Sequence, residues 1–115
     1  MKAWLLTLAA LLGSSLGQVM FKLSAMQYEA SGGLVRHLAF NLHWWLAMGL
    51  YAGASVAWML ALRELPLRQA YPVMALAFVI VPLLAHWLVG ETLRWPTLAG
   101  AALIVAGVWV SVALE

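Results

Sequence analysis

Three polar side chains recur at intervals of four residues within the first hydrophobic stretch of the chain. On an α-helix, Ser14, Gln18 and Lys22 lie along one face. A charged side chain near the centre of a bilayer costs about 2.5–3.5 kcal/mol, so such groups usually face a bundle interior or a cavity. This face is therefore a candidate substrate site, in which Lys22 would attract an anion and the other two side chains would form hydrogen bonds.

Lys22 also has a simpler interpretation. At a rise of about 1.5 Å per residue, it lies about 30 Å along the helix from Lys2. Its ammonium group can then reach the far membrane surface by snorkelling. The interpretation as a site therefore depends on the three residues together rather than on the lysine alone.

Motifs for enzymatic chemistry are absent from the sequence. It contains no His-Glu-x-x-His, no Gly-rich phosphate loop and no Gly-x-Ser-x-Gly elbow, and its four carboxylates lie in separate connections and at the C-terminus. The absence of cysteine excludes disulfides, thiol nucleophiles and Cys-ligated metals. We predict a protein that is not an enzyme and that uses no metal or cofactor.

The composition is that of an integral membrane protein. Hydrophobic residues make up 66% and charged residues 9% of the chain, against roughly 25% charged residues in a soluble domain. The 115 residues suffice for four spans with short connections and leave no room for a soluble domain. The six Lys and Arg are scattered, so a nucleic acid partner is not expected.

Hydrophobic runs predict four membrane spans, each near the length of about 20 residues that crosses a bilayer. The first is interpreted as an anchor rather than a cleaved signal peptide, because helical, hydrophobic sequence continues past its small residues. Within the polar loop that follows it, residues 34–40 are predicted to form a short interfacial helix with Arg36 and His37 toward water. The four spans are expected at about residues 3–22, 43–62, 70–89 and 97–114.

Small residues predict where helices pack closely. In the second span, Gly49 and Gly53 form a small-xxx-small pair that favours tight packing against a neighbouring helix. The fourth span is richer still in small residues. Gly100, Ala102 and Gly107 are predicted to lie in a dimer interface.

The third span and the connection after it add further candidates. Tyr71 places a hydroxyl and an aromatic ring beside Pro72 and is a candidate substrate contact. His86 lies in the last turn and is interpreted either as an interfacial histidine or as a substrate contact or proton carrier. Glu91 is expected to pair with Arg94 or to cap the start of the fourth span.

The basic residues are divided evenly between the two sides of the membrane. This balance is compatible with termini in the cytoplasm and with dual topology. One side carries Lys2, Arg63 and Arg68, and the other carries Lys22, Arg36 and Arg94.

Taken in order, these residues resemble the four-helix members of the drug/metabolite transporter superfamily over essentially the whole chain. The resemblance implies an all-α, small multidrug resistance-like bundle of four transmembrane helices that dimerises. Small multidrug resistance proteins depend on a glutamate in the first helix, however, and Ser14 stands at the matching position. Proton-coupled cation export by that mechanism is therefore not expected. The resemblance is carried by Gly17-Gln18, Lys22, Ala70-Tyr71-Pro72, Gly90-Glu91 and residues 100–107.

Subunits of the flippase for aminoarabinose-phosphoundecaprenol resemble the sequence better, through Leu16-Gly17-Gln18, the lysine that follows and Ala70-Tyr71-Pro72. This resemblance implies movement of a polyprenyl-phosphate-linked sugar across a bacterial inner membrane by alternating access. It also implies a homodimer or a heterodimer with a related four-helix subunit. Lys22 would hold the phosphate, Gln18 and Ser14 the polar headgroup, and Tyr71 would line the path.

Two other functions remain open at this stage. A small-molecule or cation exporter needs an ionisable group inside a span, and His86 is the candidate for it. A membrane subunit that stabilises another protein and transports nothing is the second alternative.

Overall fold

The computed structural model describes residues 2–28 and 32–114. Four stretches of these residues are helical, long and apolar enough to cross a membrane. This confirms the all-α class and the predicted number of membrane-spanning helices. In chain order the helices are α1 (Lys2–Met26), α2 (Leu34–Phe40), α3 (Leu42–Leu62), α4 (Leu67–Met74), α5 (Ala77–Leu88) and α6 (Trp95–Ala113), with α4 and α5 together forming the third span.

The first helix is longer than predicted and carries the interfacial helix α2 on its extension. The α1 helix continues past Lys22 to Met26, and α2 has the predicted bounds. The predicted orientation of His37 toward water is wrong, because its Nε2–H donates to the carbonyl oxygen of Ser24 at 3.0 Å. The ring of Tyr28 packs edge-on against the same imidazole at 5.1 Å. These contacts attach α2 to α1.

Small residues spaced seven apart form the core between α1 and α3. Seven residues are close to two helical turns, so each series lies on one face of its helix. Without large side chains between them, the two backbones approach closely; a Cβ on Gly13 would lie 3.3 Å from the Cβ of Ala54. The buried series are Ala3, Ala10, Gly17 and Ser24 on α1, and Ala47, Ala54 and Ala61 on α3.

The glycine pair predicted to pack the second span does not do so within this chain. Gly49 and Gly53 are exposed, and a Cβ added to either would meet no atom within 4 Å. Both glycines point away from the buried alanine series of α3. The packing signal in the sequence was the seven-residue repeat, which is not part of the small-xxx-small pattern.

The third span is interrupted between Met74 and Ala77. At the junction the backbone N–H groups bond three residues back instead of four, from Leu76 to the Val73 carbonyl oxygen and from Phe78 to that of Ala75, both at 3.0 Å. Prolines flank this tightened turn on both sides, at Pro72 and Pro82. Because proline lacks an N–H and its ring crowds the carbonyl four residues earlier, Pro72 weakens α4 and Pro82 weakens α5 at the Phe78 carbonyl, next to the junction.

The spans lie beside one another with α1 near the centre. Helix α1 packs against α3 on one side and against α5 and α4 on the other, and α6 packs against α4 and α5. The principal-axis extents are 52 × 36 × 17 Å. No residue of α6 is buried, so this helix forms one edge of a thin layer.

The contact of Gly17 with Tyr51 is testable by substitution. A Cβ on Gly17 would lie 2.7 Å from the Tyr51 ring, so we expect Gly17→Val to lower the free energy of unfolding by about 1–3 kcal/mol through overpacking. Gly49→Val is the matched control, since it makes the same change on α3 in open space. Unfolding in mixed detergent, followed by tryptophan fluorescence, measures both variants. Equal stabilities would contradict the packing described here.

Candidate functional site

The predicted polar face of α1 is formed, but its three side chains differ in availability. Ser14 is half-buried and its hydroxyl donates to the carbonyl oxygen of Leu11 at 3.2 Å. Gln18 is exposed, and Lys22 is half exposed. The amide and the ammonium group are thus the groups of this face that are directed away from their own helix.

Gln18 lines an apolar groove between α1 and the start of α5. The groove has a volume of about 480 Å³, and its other walls come from Ala77, Phe78, Val81 and Pro82. The interruption of the third span places Ala77 and Phe78 at this point. A single amide in an apolar groove can bind a polar group of a ligand whose remainder stays in the hydrocarbon region.

Tyr71 lies in a neighbouring cavity rather than in the Gln18 groove. This cavity has a volume of about 240 Å³, and its lining includes Met74 and Ala75 of the interrupted stretch. The ring of Trp58 stands edge-on to that of Tyr71 at 6.4 Å. Phe78 lines both cavities and therefore separates Tyr71 from Gln18.

A half-buried tyrosine, Tyr51, lies beside Gln18 and was not predicted as a site residue. The hydroxyl of Tyr51 is buried, and the Gln18 side chain is the polar group that faces it. The Tyr51 ring stacks on Phe21 at 5.2 Å and occupies the space that Gly17 leaves open. A glycine next to a candidate polar residue was the signal, since it permits a bulky ring to approach the helix.

Lys22 forms an ion pair with Glu91. The Nζ and Oε2 atoms are 3.5 Å apart, and both side chains are about half exposed. Gly90, two residues after the end of α5, has a φ of 86°, a left-handed conformation that favours glycine. The N–H groups of Gly90 and Glu91 then donate to the carbonyl oxygen of Ala85 at 3.0 and 3.2 Å. This turn positions Glu91 beside α1.

The predicted partners of Glu91 were therefore wrong. The structure pairs it with Lys22 on α1 rather than with Arg94, and the N-cap of α6 is Arg94, with no side-chain hydrogen bond. Glu91 and Arg94 flank a non-helical connection, in which the helical spacing that would bring them together does not apply.

His86 belongs to the same turn and lines neither the Gln18 groove nor the Tyr71 cavity. Its Nδ1–H donates to the carbonyl oxygen of Glu91 at 2.8 Å, and the ring is exposed. This contact holds the backbone of the turn in place. The geometry therefore favours the interfacial interpretation of His86 over that of a proton carrier.

The residues predicted for a dimer interface lie on the uncovered helix α6. A Cβ added to Gly100 or Gly107 would meet no atom within 4 Å, and Ala102 is exposed. Gly100 and Gly107 are about two turns apart and share a face, whereas Ala102 is rotated by about 200° from Gly100. A single partner helix therefore cannot contact all three.

Comparison with known proteins identifies relatives for nearly the whole chain. The EamA-like transporter family matches residues 37–113. A protein of Pseudomonas fluorescens named as probable 4-amino-4-deoxy-L-arabinose-phosphoundecaprenol flippase subunit ArnE is 34% identical, over 94% of this chain and 94% of its own. The ArnE protein of Pseudomonas paraeruginosa is 38% identical over 90% of each chain.

A second kind of subunit matches a shorter stretch at higher identity. The probable flippase subunit ArnF of Erwinia tasmaniensis is 50% identical over 66 residues, which are 54% of this chain and 52% of that protein. This match thus spans about half the length of the relative. No solved structure matches the chain.

The pairing of Lys22 with Glu91 is testable by cross-linking, because the chain contains no natural cysteine. We expect a short thiol-specific reagent to join the double variant Lys22→Cys/Glu91→Cys within one chain, since the native side chains approach to 3.5 Å. Lys2→Cys/Glu91→Cys is the control, because Lys2 lies at the opposite end of α1. Mass spectrometry of the monomer detects the link. The absence of a link in Lys22→Cys/Glu91→Cys contradicts the placement.

Proposed function

Because this chain belongs to the EamA-like transporter family, we propose that it moves a polyprenyl-phosphate-linked sugar across the bacterial inner membrane by alternating access. The relatives that match over most of their length are named as probable subunits of a flippase for 4-amino-4-deoxy-L-arabinose-phosphoundecaprenol. The sugar proposed here is of that aminoarabinose type. The observation that carries the proposal is the position of Lys22, one helical turn beyond the groove that Gln18 lines.

The polar face of α1 suits a phosphate-linked headgroup. In this proposal the Lys22 ammonium group binds the phosphate through charge-assisted hydrogen bonds. The Gln18 amide contacts sugar hydroxyls one turn further along α1, followed by Ser14. The apolar walls from Ala77, Val81 and Pro82 allow the polyprenyl tail to remain in the lipid.

The interrupted third span supplies the element that would move. The tightened turn between Met74 and Ala77 lies between the Gln18 groove and the Tyr71 cavity, and Phe78 separates them. Bending at the turn would displace Phe78 and open the headgroup's path from Gln18 toward Tyr71. Hinges of this kind absorb backbone changes at a few residues where helical hydrogen bonds are already weakened.

A second four-helix subunit is part of the proposal. The relatives are named as subunits, and the thin layer leaves the whole outer face of α6 uncovered. Gly100 and Gly107 border open space and allow close approach of a partner helix along their side of α6. The partner is either another copy of this chain or a related subunit.

The exporter alternative gains no support from the grooves. Coupling to protons requires an ionisable group in the path. The described residues that line the Gln18 groove and the Tyr71 cavity include no carboxylate and no histidine. Lys22, one helical turn beyond the Gln18 groove, instead suits an anionic substrate.

The role of Lys22 is tested with the other lysine of α1 as its control. We expect Lys22→Gln to retain polyprenyl-phosphate lipid at least about tenfold less than wild type, because a charged hydrogen bond is lost, and to flip it correspondingly slowly. Lys2→Gln removes the same charge from the opposite end of α1 and should behave as wild type. Mass spectrometry of co-purified lipid and headgroup accessibility in membrane vesicles measure both effects. Normal flipping by Lys22→Gln sinks the proposal.

The partner face of α6 has an internal control in Ala102. We expect Gly107→Leu to reduce association between differently tagged subunits severalfold, because the larger side chain prevents close helix approach. Ala102→Leu introduces the same side chain on the opposite side of α6 and should leave association unchanged. Co-purification from mild detergent measures the difference. A larger loss of association in Ala102→Leu than in Gly107→Leu would place the interface on the Ala102 side of α6.

A further inference from the structure

We propose that Lys22 and Glu91 form a two-charge clasp that selects headgroups carrying an ammonium group as well as a phosphate, with Glu91 as the residue that binds the amine. The inference rests on the proposed function, in which Lys22 binds the phosphate. It adds a second contact residue and a physical basis for distinguishing an amino sugar from a neutral one.

The ion pair between Lys22 and Glu91 is placed so that each side chain can exchange its partner for a group of a ligand. Lys22 belongs to α1 and Glu91 to the connection after α5, and the atoms that pair are 3.5 Å apart. Both side chains are about half exposed, and pairs of this kind are weak because water screens them. A ligand at the end of the Gln18 groove can therefore separate them without losing a strong contact.

The charge balance favours a zwitterionic ligand. A phosphate that binds Lys22 alone displaces Glu91 and leaves its carboxylate unpaired beside another anion, and like charges at such a distance repel. A headgroup that also carries an ammonium group gives Glu91 a new partner. Each charge of the ion pair is then compensated by the opposite charge of the ligand.

The local structure lets the carboxylate move while its backbone stays fixed. Residues 90–94 are not helical, and the Glu91 carbonyl oxygen is held by the His86 Nδ1–H at 2.8 Å. The side chain projects from this anchored point toward Lys22. Separation of the two long side chains makes room for a sugar ring between the charges.

Glu91 is the carboxylate available for this role among the described residues. The other described carboxylate, Glu64, lines a cavity with Lys2 and Arg63 at the opposite end of the spans. It cannot reach a headgroup at Lys22. Glu64→Gln is therefore a matched control that removes one carboxylate without altering the clasp.

Two lipid probes that differ by one charge test the clasp. The first is undecaprenyl phosphate linked to a 4-amino-4-deoxypentose, and the second is its N-acetyl derivative, which keeps the ring and the phosphate but loses the positive charge. Binding to the purified full chain, with any subunit that co-purifies, is measured in lipid nanodiscs. We expect wild type and Glu64→Gln to prefer the free amine by about threefold to tenfold.

The variants separate the two contacts. Glu91→Gln should bind both probes equally, and should bind the N-acetyl probe more tightly than wild type does, because the repelling carboxylate is gone. Glu91→Asp should retain the preference, which shows that the charge rather than the fold is responsible. Lys22→Gln should lose both probes.

The outcomes distinguish the clasp from the proposed function. If wild type binds the two probes with equal affinity, that result alone overturns the clasp. A preference that persists in Glu91→Gln, while Lys22→Gln loses both probes, also overturns the clasp but leaves the proposed function standing. Undiminished binding of both probes by Lys22→Gln overturns the proposed function and the clasp with it.

Discussion

The close approach of α1 to α3 is the contact on which the rest of the structure depends. The Tyr51 ring occupies the space beside Gly17, and seven-residue series of small side chains continue that approach along both helices. In a bilayer, such packing drives association, because lipid tails are as apolar as the side chains they would replace. Because this face of α1 packs against α3, the polar face of α1 lies toward the third span.

Opposite the polar face of α1, the third span places an interrupted stretch of helix rather than polar side chains. Two prolines weaken the helix on either side of Met74–Ala77, and the tightened turn brings Ala77 and Phe78 opposite Gln18. The result is a groove that is apolar apart from one amide. Because α6 adds no buried residue to this layer, the groove remains at the surface of the single chain, where the proposed lipid-linked substrate can approach from the side.

Local features of the site and fold were predictable from particular residues. The interval of four between Ser14, Gln18 and Lys22 determines a common face on any α-helix, and the amphipathic stretch Leu34–Phe40 forms the short helix that was expected. The glycine pair of the second span was misleading, since the alanines of the same helix carry the packing. The side chains of the glycine pair and of the alanine series are both small enough for close helix packing. Which of the two packs depends on the face of α3 that α1 contacts.

By itself, the sequence determined the number of spans, the polar face of α1 and the absence of enzymatic motifs, because hydropathy and helical periodicity depend on residues close together in the chain. Only the tertiary structure decided that Glu91 meets Lys22, that Tyr51 fits against Gly17, and that Gln18 and Tyr71 lie in separate cavities. These contacts join residues far apart in the sequence. They depend on which helices become neighbours and on a left-handed turn at Gly90 that redirects the chain, and no local pattern specifies such a pairing.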